Sequence, residues 1–332
     1  MSGKTIMRAG ITAVAHYLPE DVLTNAYFES YLDTSDEWIM TRAGIKERRI
    51  LKNGATSDLA VPAIKRLLEQ RGIGADEIDM IIVGTVTPDM FFPSTACVIQ
   101  NKIGATKAWG FDVSAACSAF LFTLETGRRF IETGAAKKVL VVGADKMSSI
   151  LDYQDRNTCI LFGDGAGVVL LEAVEEPYGI IDSILHIDGS GEKHLHMKAG
   201  GSLNPPTHET VDKKWHYVFQ DGKAVFKSAV VGMADVSAEI VERNHMTADD
   251  IAYLVPHQAN LRIIDAARER MGLSPEKVMV NIDKYGNTTA ATIPICLSEW
   301  YASGKLKKGD NIVLASFGAG YTWGSVLLKW AI

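Results

Sequence analysis

The sequence predicts an α/β protein that is internally duplicated and folds as a layered α-β-α-β-α sandwich. Three observations carry this. A segment repeats: Ala75-Asp76-Glu77-Ile78-Asp79-Met80-Ile81-Ile82 returns as Ala248-Asp249-Asp250-Ile251-Ala252-Tyr253-Leu254-Val255, 173 residues on. Each copy follows an amphipathic helix. The strands are short β-branched runs, at 81–83, 139–142, 168–171 and 312–314, of the kind found in sheets buried on both faces. Two such sheets need helices between them and outside them, which gives the layers.

The elements follow in chain order. Ala60, Ile64, Leu67 and Leu68 recur at helical spacing, and Gly72 suits the left-handed position that closes a helix. Phe111-Asp112 opens a segment that passes through a helix, apolar at Phe120, Leu124 and Ile131, to Thr133-Gly134 and a strand at 139–143. Residues 158–162 read as a further strand. In the second copy Phe226, Val230, Met233 and Ile240 form the stripe, Ser237 interrupts it, and Asn244 is the expected cap. Ile282-Asp283 then opens the matching segment, which runs to Ser303-Gly304 and a strand at 312–316. Cys117 lies 17 residues before Gly134, and Asn287 lies 17 before Gly304. The two are therefore equivalent, each expected where a strand has turned into a helix. The halves are taken as 1–177 and 178–332. Residues 192–220, rich in His, Gly and Pro, fit neither copy and read as an insertion over the surface or an active-site edge.

Composition narrows the function. Of 332 residues, 34 are Lys or Arg and 40 Asp or Glu, a net charge of −6, with 47% apolar and 22% charged. That is globular composition. It lacks the basic footprint a general nucleic-acid binder needs. No apolar run reaches the ~18 residues of a membrane span, and Met1-Ser2-Gly3-Lys4-Thr5 does not open an apolar signal core. Cys97, Cys117, Cys159 and Cys296 form neither a disulfide framework nor a zinc signature. The expectation is a soluble cytoplasmic protein with reduced thiols.

Cys117, in Asp112-Val113-Ser114-Ala115-Ala116-Cys117-Ser118-Ala119-Phe120, is the first candidate nucleophile. A thiol at a helix N-terminus faces the positive end of the dipole, which lowers its pKa. Small neighbours leave room for a substrate. A small buried hydrophobe at a tight junction explains the same residues about as well, and explains Cys97, Cys159 and Cys296 better. His257 follows a strand as Pro256-His257-Gln258-Ala259-Asn260, where α/β folds place functional groups. A single His there is more often structural, but the repeat lets one central pocket receive Cys117, His257 and Asn287 together. Phe317-Gly318-Ala319-Gly320-Tyr321 exposes backbone N–H groups that suit an oxyanion hole, or is a plain tight turn. Gly163-Asp164-Gly165-Ala166-Gly167 lacks the full dinucleotide pattern and precedes a strand, so it reads as a backbone requirement near the pocket. His194 and His196 alternate on one face of a possible strand, with no third metal ligand in view. Thr34-Ser35-Asp36-Glu37 reads as a capping box. Trp38 and Arg42 then share a helix face, with Lys46, Arg48 and Arg49 following, a set that could hold an adenine and phosphates or be a solvated helix end.

These residues resemble the beta-ketoacyl-[acyl-carrier-protein] synthase III family, the initiating condensing enzymes of bacterial fatty-acid synthesis. The resemblance covers nearly the whole chain. It rests on Tyr17-Leu18-Pro19-Glu20, Asp33-Thr34-Ser35-Asp36-Glu37-Trp38, Asp155-Arg156, Phe162-Gly163-Asp164-Gly165-Ala166-Gly167, Val255-Pro256-His257-Gln258-Ala259-Asn260-Leu261-Arg262, Gly286-Asn287-Thr288 and Thr322-Trp323-Gly324-Ser325. It implies a thiolase-like fold, a homodimer, and a Cys-His-Asn triad falling on Cys117, His257 and Asn287. It implies CoA held around Trp38 and Arg156, with Thr34, Arg42, Gly222 and Asn260 along the CoA and pantetheine path. Phe92 matches the aromatic that closes the acyl pocket across the dimer interface.

The implied reaction joins an acyl-CoA primer to malonyl-ACP with loss of CO₂, through an acyl-Cys117 intermediate. Cys117 and Ala319 N–H groups would hold the oxyanion, and His257, with its proton on the nitrogen facing the substrate, would donate with Asn287 to the enolate. No metal, nicotinamide or flavin is required. Lys223, Lys227 and Arg262, with Arg268 and Arg270, form the expected acyl-carrier-protein (ACP) docking rim. The family often has three glycines where this chain has Gly318-Ala319-Gly320; only the N–H is needed there. The 192–220 segment is longer than in short members and bears on acyl specificity. Other readings are a condensing enzyme or acyltransferase of secondary metabolism, and a Cys-His-Asn thioester hydrolase. A non-decarboxylating thiolase would need a second Cys where Phe317-Gly318-Ala319-Gly320 stands.

Overall fold

In the computed structural model, which describes residues 7–332, the duplicated pattern becomes two sheets and three helical layers. The first five residues read above, with Ile6, lie outside the described residues. The first sheet contains β1 (Met7–Tyr17), β2 (Met80–Gly84), β3 (Trp109–Val113), β4 (Val139–Lys146) and β5 (Asp164–Glu175). The second contains β6 (Gly179–Ile187), β7 (Tyr253–Pro256), β8 (Asn311–Gly318) and β9 (Thr322–Lys329). The principal helices are α1 (Asp36–Ala43), α2 (Thr56–Arg71), α3 (Thr95–Ile103), α4 (Ala119–Glu132), α5 (Gly222–Arg243), α6 (Leu261–Arg270) and α7 (Thr292–Ala302).

The strand orders are β1-β5-β4-β2-β3 and β6-β9-β8-β7. From the inner strand outward both sheets run parallel, antiparallel, antiparallel: β2·β4, β4·β5, β5·β1 in one, and β7·β8, β8·β9, β9·β6 in the other. The duplication is thus repeated in the topology. Alternate residues of each strand feed different layers. Ile81 and Val83 pack with Leu59, Ile64 and Leu67 of α2, whereas Met80 and Ile82 join Phe120 and Leu124 of α4. With α7, α4 fills the space between the sheets. Met233 and Ile240 of α5 and Ile263 of α6 cover the outer face of the second sheet, against Leu254, Val313 and Leu327. No helix among the described residues is long and apolar enough to cross a membrane.

Four local expectations are corrected. The lead-in to Asn287 is not a strand. Where the first half has β3, the second keeps a single bridge, Leu254 with Val278, and residues Ile282–Tyr285 coil into one helical turn. The Ile282 side chain is drawn into a separate cluster with Phe28, Ile39 and Ile45, and the Asp283 carbonyl accepts from Lys46 N. Residues 158–162 form turns instead of a strand, because Thr158 and Cys159 N–H groups bond back to the Asp155 carbonyl. The long helix α5 is closed by Asn244 outside the left-handed region; His245 takes that conformation, at φ 56°. The cap of α1 is Ser35, whose hydroxyl accepts from Trp38 N, not Thr34.

The halves touch where small residues remove side chains. A Cβ on Gly143 of β4 would lie 2.2 Å from the Ala290 carbonyl oxygen of the other half. Gly143→Ala should therefore cost about 1–3 kcal/mol of stability through overpacking against backbone. Urea denaturation followed by circular dichroism checks this; a midpoint equal to wild type would contradict the close approach.

Candidate active site

The duplicated turns deliver Cys117 and Asn287 each directly after a residue at positive φ. Ala116, just before Cys117, has φ 47°, and Gly286, just before Asn287, has φ 62°. An alanine in the left-handed region is costly, and such residues persist where the surroundings hold them. Behind Cys117, Ser316 Oγ donates to its carbonyl at 2.9 Å, Thr322 Oγ1 donates to the Ala115 carbonyl at 2.8 Å, and Ser118 Oγ donates to the Thr322 carbonyl at 3.0 Å. Gly318 must lack a side chain, since a Cβ there would come within 2.7 Å of Cys117 N. The Gly318–Gly320 turn thus lies directly against the backbone N–H of the thiol residue.

His257 follows β7, and its N–H donates to the Ala315 carbonyl at 2.8 Å. The ring is 2% exposed. Its Nδ1 meets Thr292 Oγ1 at 2.8 Å, and its Nε2 has no partner among the described residues. Asn287 is bridged to Phe162: its N–H donates to the Leu161 carbonyl at 2.9 Å, and its carbonyl accepts from Gly163 N at 3.1 Å. Thr289 N–H donates to Asn287 Oδ1 at 2.8 Å. That bond fixes the amide orientation and leaves the NH₂ to face the thiol.

One cleft of about 840 Å³ is lined by Cys117, His257, Asn287 and Ala319, with Trp38, Arg42, Gly222, Asn260 and Arg262 towards its other surfaces. A buried thiol, an imidazole with an unpartnered nitrogen, an amide donor and a glycine-flanked turn in one large cleft suit acyl transfer.

Comparison with known proteins agrees. Residues 111–189 match the 3-oxoacyl-[acyl-carrier-protein (ACP)] synthase III family, and residues 241–330 match its C-terminal domain. The beta-ketoacyl-[acyl-carrier-protein] synthase III of Chlorobaculum tepidum is 61% identical over 98% of this chain and 100% of its own. This chain belongs to that family. It is an acyltransferase-type condensing enzyme of fatty-acid synthesis with a thiolase-like fold. The crystal structure of 3-oxoacyl-[acyl-carrier-protein] synthase III from Aquifex aeolicus superposes with a TM-score of 0.90 at 43% identity, covering 97% of this chain and 100% of that one. The priming beta-ketosynthase of the R1128 polyketide pathway gives 0.90 at 32% identity, covering 100% and 99%.

The remaining synthase III candidates fall into three groups. On the cleft wall, the Trp38 ring has Arg42 and Arg156 guanidinium carbons at 5.3 and 5.4 Å from its centre. Arg156 is held by Asp33 at 3.2 Å, and Asn260 caps α6 while its amide donates to the Arg42 carbonyl at 2.7 Å. Thr34 and Arg156 do not line the cleft themselves. Arg48 is not a phosphate ligand: it is wholly buried, donates to the Leu23 and Ile160 carbonyls and to Asn25, and lies over Phe28. At the rim, Lys223 lines the cleft, Lys227 is exposed, and Arg262 lies 4.5 Å from the Phe226 ring centre. Arg268 and Arg270 are tied to acids instead, Arg268 to Asp265 and Glu269, and Arg270 to Asp235 and Glu242. Outside the cleft, Phe92 is 85% exposed. Cys97, expected to be buried, is exposed on α3.

The 192–220 segment, read as an insertion over the surface or an active-site edge, lies at the cleft. Strands Leu195–Met197 and Val218–Gln220 pair with each other, and Leu195, His196, Met197, Val218 and Gln220 all line the cleft, so the 192–220 segment forms a wall. Among the described residues no three His, Cys, Asp or Glu side chains gather as metal ligands. Asp145, at the end of β4, is buried with no counter-ion. It accepts from Thr85, Val86 and Thr87 of its own half and from Thr289 and Ala290 of the other. Nothing marks it in the sequence, because its partners lie far along the chain.

The thiol pKa corrects another expectation. Burial first, and the nearby Asp145 carboxylate second, push Cys117 up to about 12, against the backbone N–H and the Asn287 side chain, which pull it down. Burial outweighs the helix-end setting. Alkylation of Cys117 by iodoacetamide in the free enzyme should therefore climb about tenfold per pH unit from neutrality upward, because only the thiolate reacts. Peptide-resolved mass spectrometry separates Cys117 from the exposed Cys97; a rate that levels off near neutrality would contradict the raised pKa.

Proposed function

We propose that the enzyme joins an acyl-CoA primer to malonyl-ACP, giving 3-oxoacyl-ACP, CoA and CO₂, through an acyl group on Cys117. The observation that carries this reading is the convergence of Cys117, His257 and Asn287 in one cleft with the Gly318–Gly320 turn against Cys117 N. In acylation, Cys117 Sγ bonds to the acyl carbon, the carbon–sulfur bond to CoA breaks, and the thiol proton ends on CoA. The N–H groups of Cys117 and Ala319 hold the oxyanion. In condensation, the bond to the malonyl carboxylate breaks and its electron pair enters an enolate. His257 and Asn287 donate to the enolate oxygen. The enolate carbon attacks the acyl carbon, Cys117 leaves as thiolate, and it regains a proton from solvent. No step calls for a metal, nicotinamide or flavin.

Burial alone holds His257 down at about 3, so the ring is neutral and fit to act as a hydrogen-bond donor. A Cys-His hydrolase would profit from a protonated His, and this favours the condensing reading. Trp38, flanked by Arg42 and Arg156, suits the adenine and phosphates of CoA, with Thr34 nearby. Gly222 and Asn260 suit the pantetheine path. The unpaired edge of β3, with Phe91 and Phe92 exposed at 75% and 85%, supports a homodimer in which Phe92 reaches the partner's acyl pocket. We read the two halves as 1–177 and 178–332. The enzyme's place is the cytoplasm, where its substrates are made.

Intact-protein mass spectrometry after incubation with acetyl-CoA should show one added acyl group, and none on Cys117→Ser, since a hydroxyl with no base in contact is a poor nucleophile. Acylation elsewhere would overturn the assignment. His257→Ala and Asn287→Ala should each slow malonyl-ACP decarboxylation by roughly 10²–10³, the usual cost of one oxyanion donor; normal decarboxylation by Asn287→Ala would make Asn287 structural. For docking, ACP is acidic and so is this enzyme, so attraction must be local. Lys227→Glu with Arg262→Glu should raise KM for malonyl-ACP and leave acylation nearly unchanged, whereas Arg270→Glu, already paired with acids, should do less. Unaltered ACP kinetics in the double variant at low salt would move the docking surface elsewhere.

A further inference from the structure

His257 is neutral, so its chemistry is decided by which nitrogen carries the one proton. In a neutral imidazole that is set by the partner of the other nitrogen. Nε2 has no partner among the described residues, and His257 lines the cleft. Nδ1 has one, Thr292 Oγ1 at 2.8 Å. The tautomer therefore hangs on a single hydroxyl. Thr292 is 2% exposed, begins α7, and is not a cleft-lining residue, so it can act only through His257.

That hydroxyl has one proton and two acceptors in reach, His257 Nδ1 and the Thr289 carbonyl at 3.1 Å. The Thr289 carbonyl already accepts from Thr292's own backbone N–H. The Nδ1 lone pair has no other donor. With the proton on Nδ1 instead, Nδ1–H would donate to Thr292 Oγ1 and the hydroxyl to the Thr289 carbonyl, leaving Nε2 a bare acceptor toward the cleft. The Thr289 carbonyl keeps its backbone N–H donor without the hydroxyl, so Thr292 is free to give its proton to Nδ1, the arrangement the condensing reading requires. We propose that Thr292 is a positioning residue that holds His257 as the Nε2–H tautomer, so that the nitrogen facing the cleft donates and does not accept. The proposal rests on the condensing reading above, in which an enolate oxygen needs a donor at that point. A bare Nε2 lone pair there would repel the enolate.

The same turn then sets both donors. Thr289 N–H orients the Asn287 amide, and Thr292, three residues on, orients the His257 ring. Both threonines belong to one short 3₁₀ turn and the helix start that follows it.

The test has two independent readouts on the full-length enzyme. Long-range ¹⁵N–¹H correlation on ¹⁵N-histidine-labelled protein, with His257 assigned by its loss in His257→Ala, reads the tautomer directly. Wild type and Thr292→Ser should carry the proton on Nε2, and Thr292→Val should lose that preference. Malonyl-ACP decarboxylation should fall about 10- to 100-fold in Thr292→Val, taking the range known for outer hydrogen-bond partners of metal-bound histidines as the guide. Thr292→Ser should restore it, and Cys117 acylation by acetyl-CoA should stay near wild type in both. A wild-type His257 protonated on Nδ1 overturns the proposal, as does a Thr292→Val enzyme that decarboxylates normally. The wild-type spectrum decides even if Thr292→Val folds poorly. Wild-type enzyme that never decarboxylates malonyl-ACP would instead defeat the condensing reading, while the spectrum still reports the tautomer.

Discussion

A buried carboxylate with no cation beside it ties the two halves together beneath the reactive residues. Asp145 is fully buried, and charge in such a place is tolerated only when its oxygens are saturated with donors. Here the donors come from both copies of the repeat: Thr85, Val86 and Thr87 from one, Thr289 and Ala290 from the other. Burial pushes the Asp145 carboxyl pKa up, and the donors from both halves pull it back down; separating the halves would remove Thr289 and Ala290 from that set. Asp145 also grips the turn that presents Asn287, so the contact that joins the halves is the contact that shapes the site. Gly143, two residues earlier on the same strand, lets the Ala290 backbone come close enough for it.

Burial of the reactive side chains is the second consequence. Where the halves pack together, Cys117 and His257 are buried, and both shift toward their neutral forms. A neutral thiol and a neutral imidazole do not form the ready ion pair of a cysteine hydrolase. The site trades a poised nucleophile for hydrogen-bond donors in a low-dielectric setting, where donors aimed at developing charge have most effect. That suits a reaction whose difficult moment is an enolate. The walls complete the selection. Trp38 with its two arginines offers a place for a flat ring beside phosphates, and the 192–220 segment adds Leu195, His196, Met197, Val218 and Gln220 to the opposite side.

Much of this was legible in the chain. The 173-residue offset carried the duplication, and the matched strand orders follow from it. Equal spacing to Gly134 and Gly304 paired Cys117 with Asn287, and the structure brings both into one cleft with His257. The misreadings have physical causes. Residues before Asn287 look like those before Cys117, yet the second half reduces the counterpart of β3 to one bridge, and Ile282 is buried instead in a cluster with Phe28, Ile39, Ile45, Cys159 and Ile160. Arg48 looked like a phosphate ligand because a cation in a basic run gives no hint of the carbonyls that bury it. Asp145 and Thr292 were silent for the same reason. Each sits in an apolar stretch without a motif, and its meaning lies in partners 35 to 145 residues away.

The account stands or falls on one acyl group passing from CoA to Cys117 and from there to carbon. A single-turnover chase reads this directly: load the enzyme with isotopically labelled acetyl-CoA, remove free CoA ester, add malonyl-ACP, and follow enzyme and ACP masses together. The label should leave Cys117 and appear in 3-oxoacyl-ACP, one equivalent per CO₂ released. Label released as free acetate, or retained on Cys117 while CO₂ is evolved, would contradict the account.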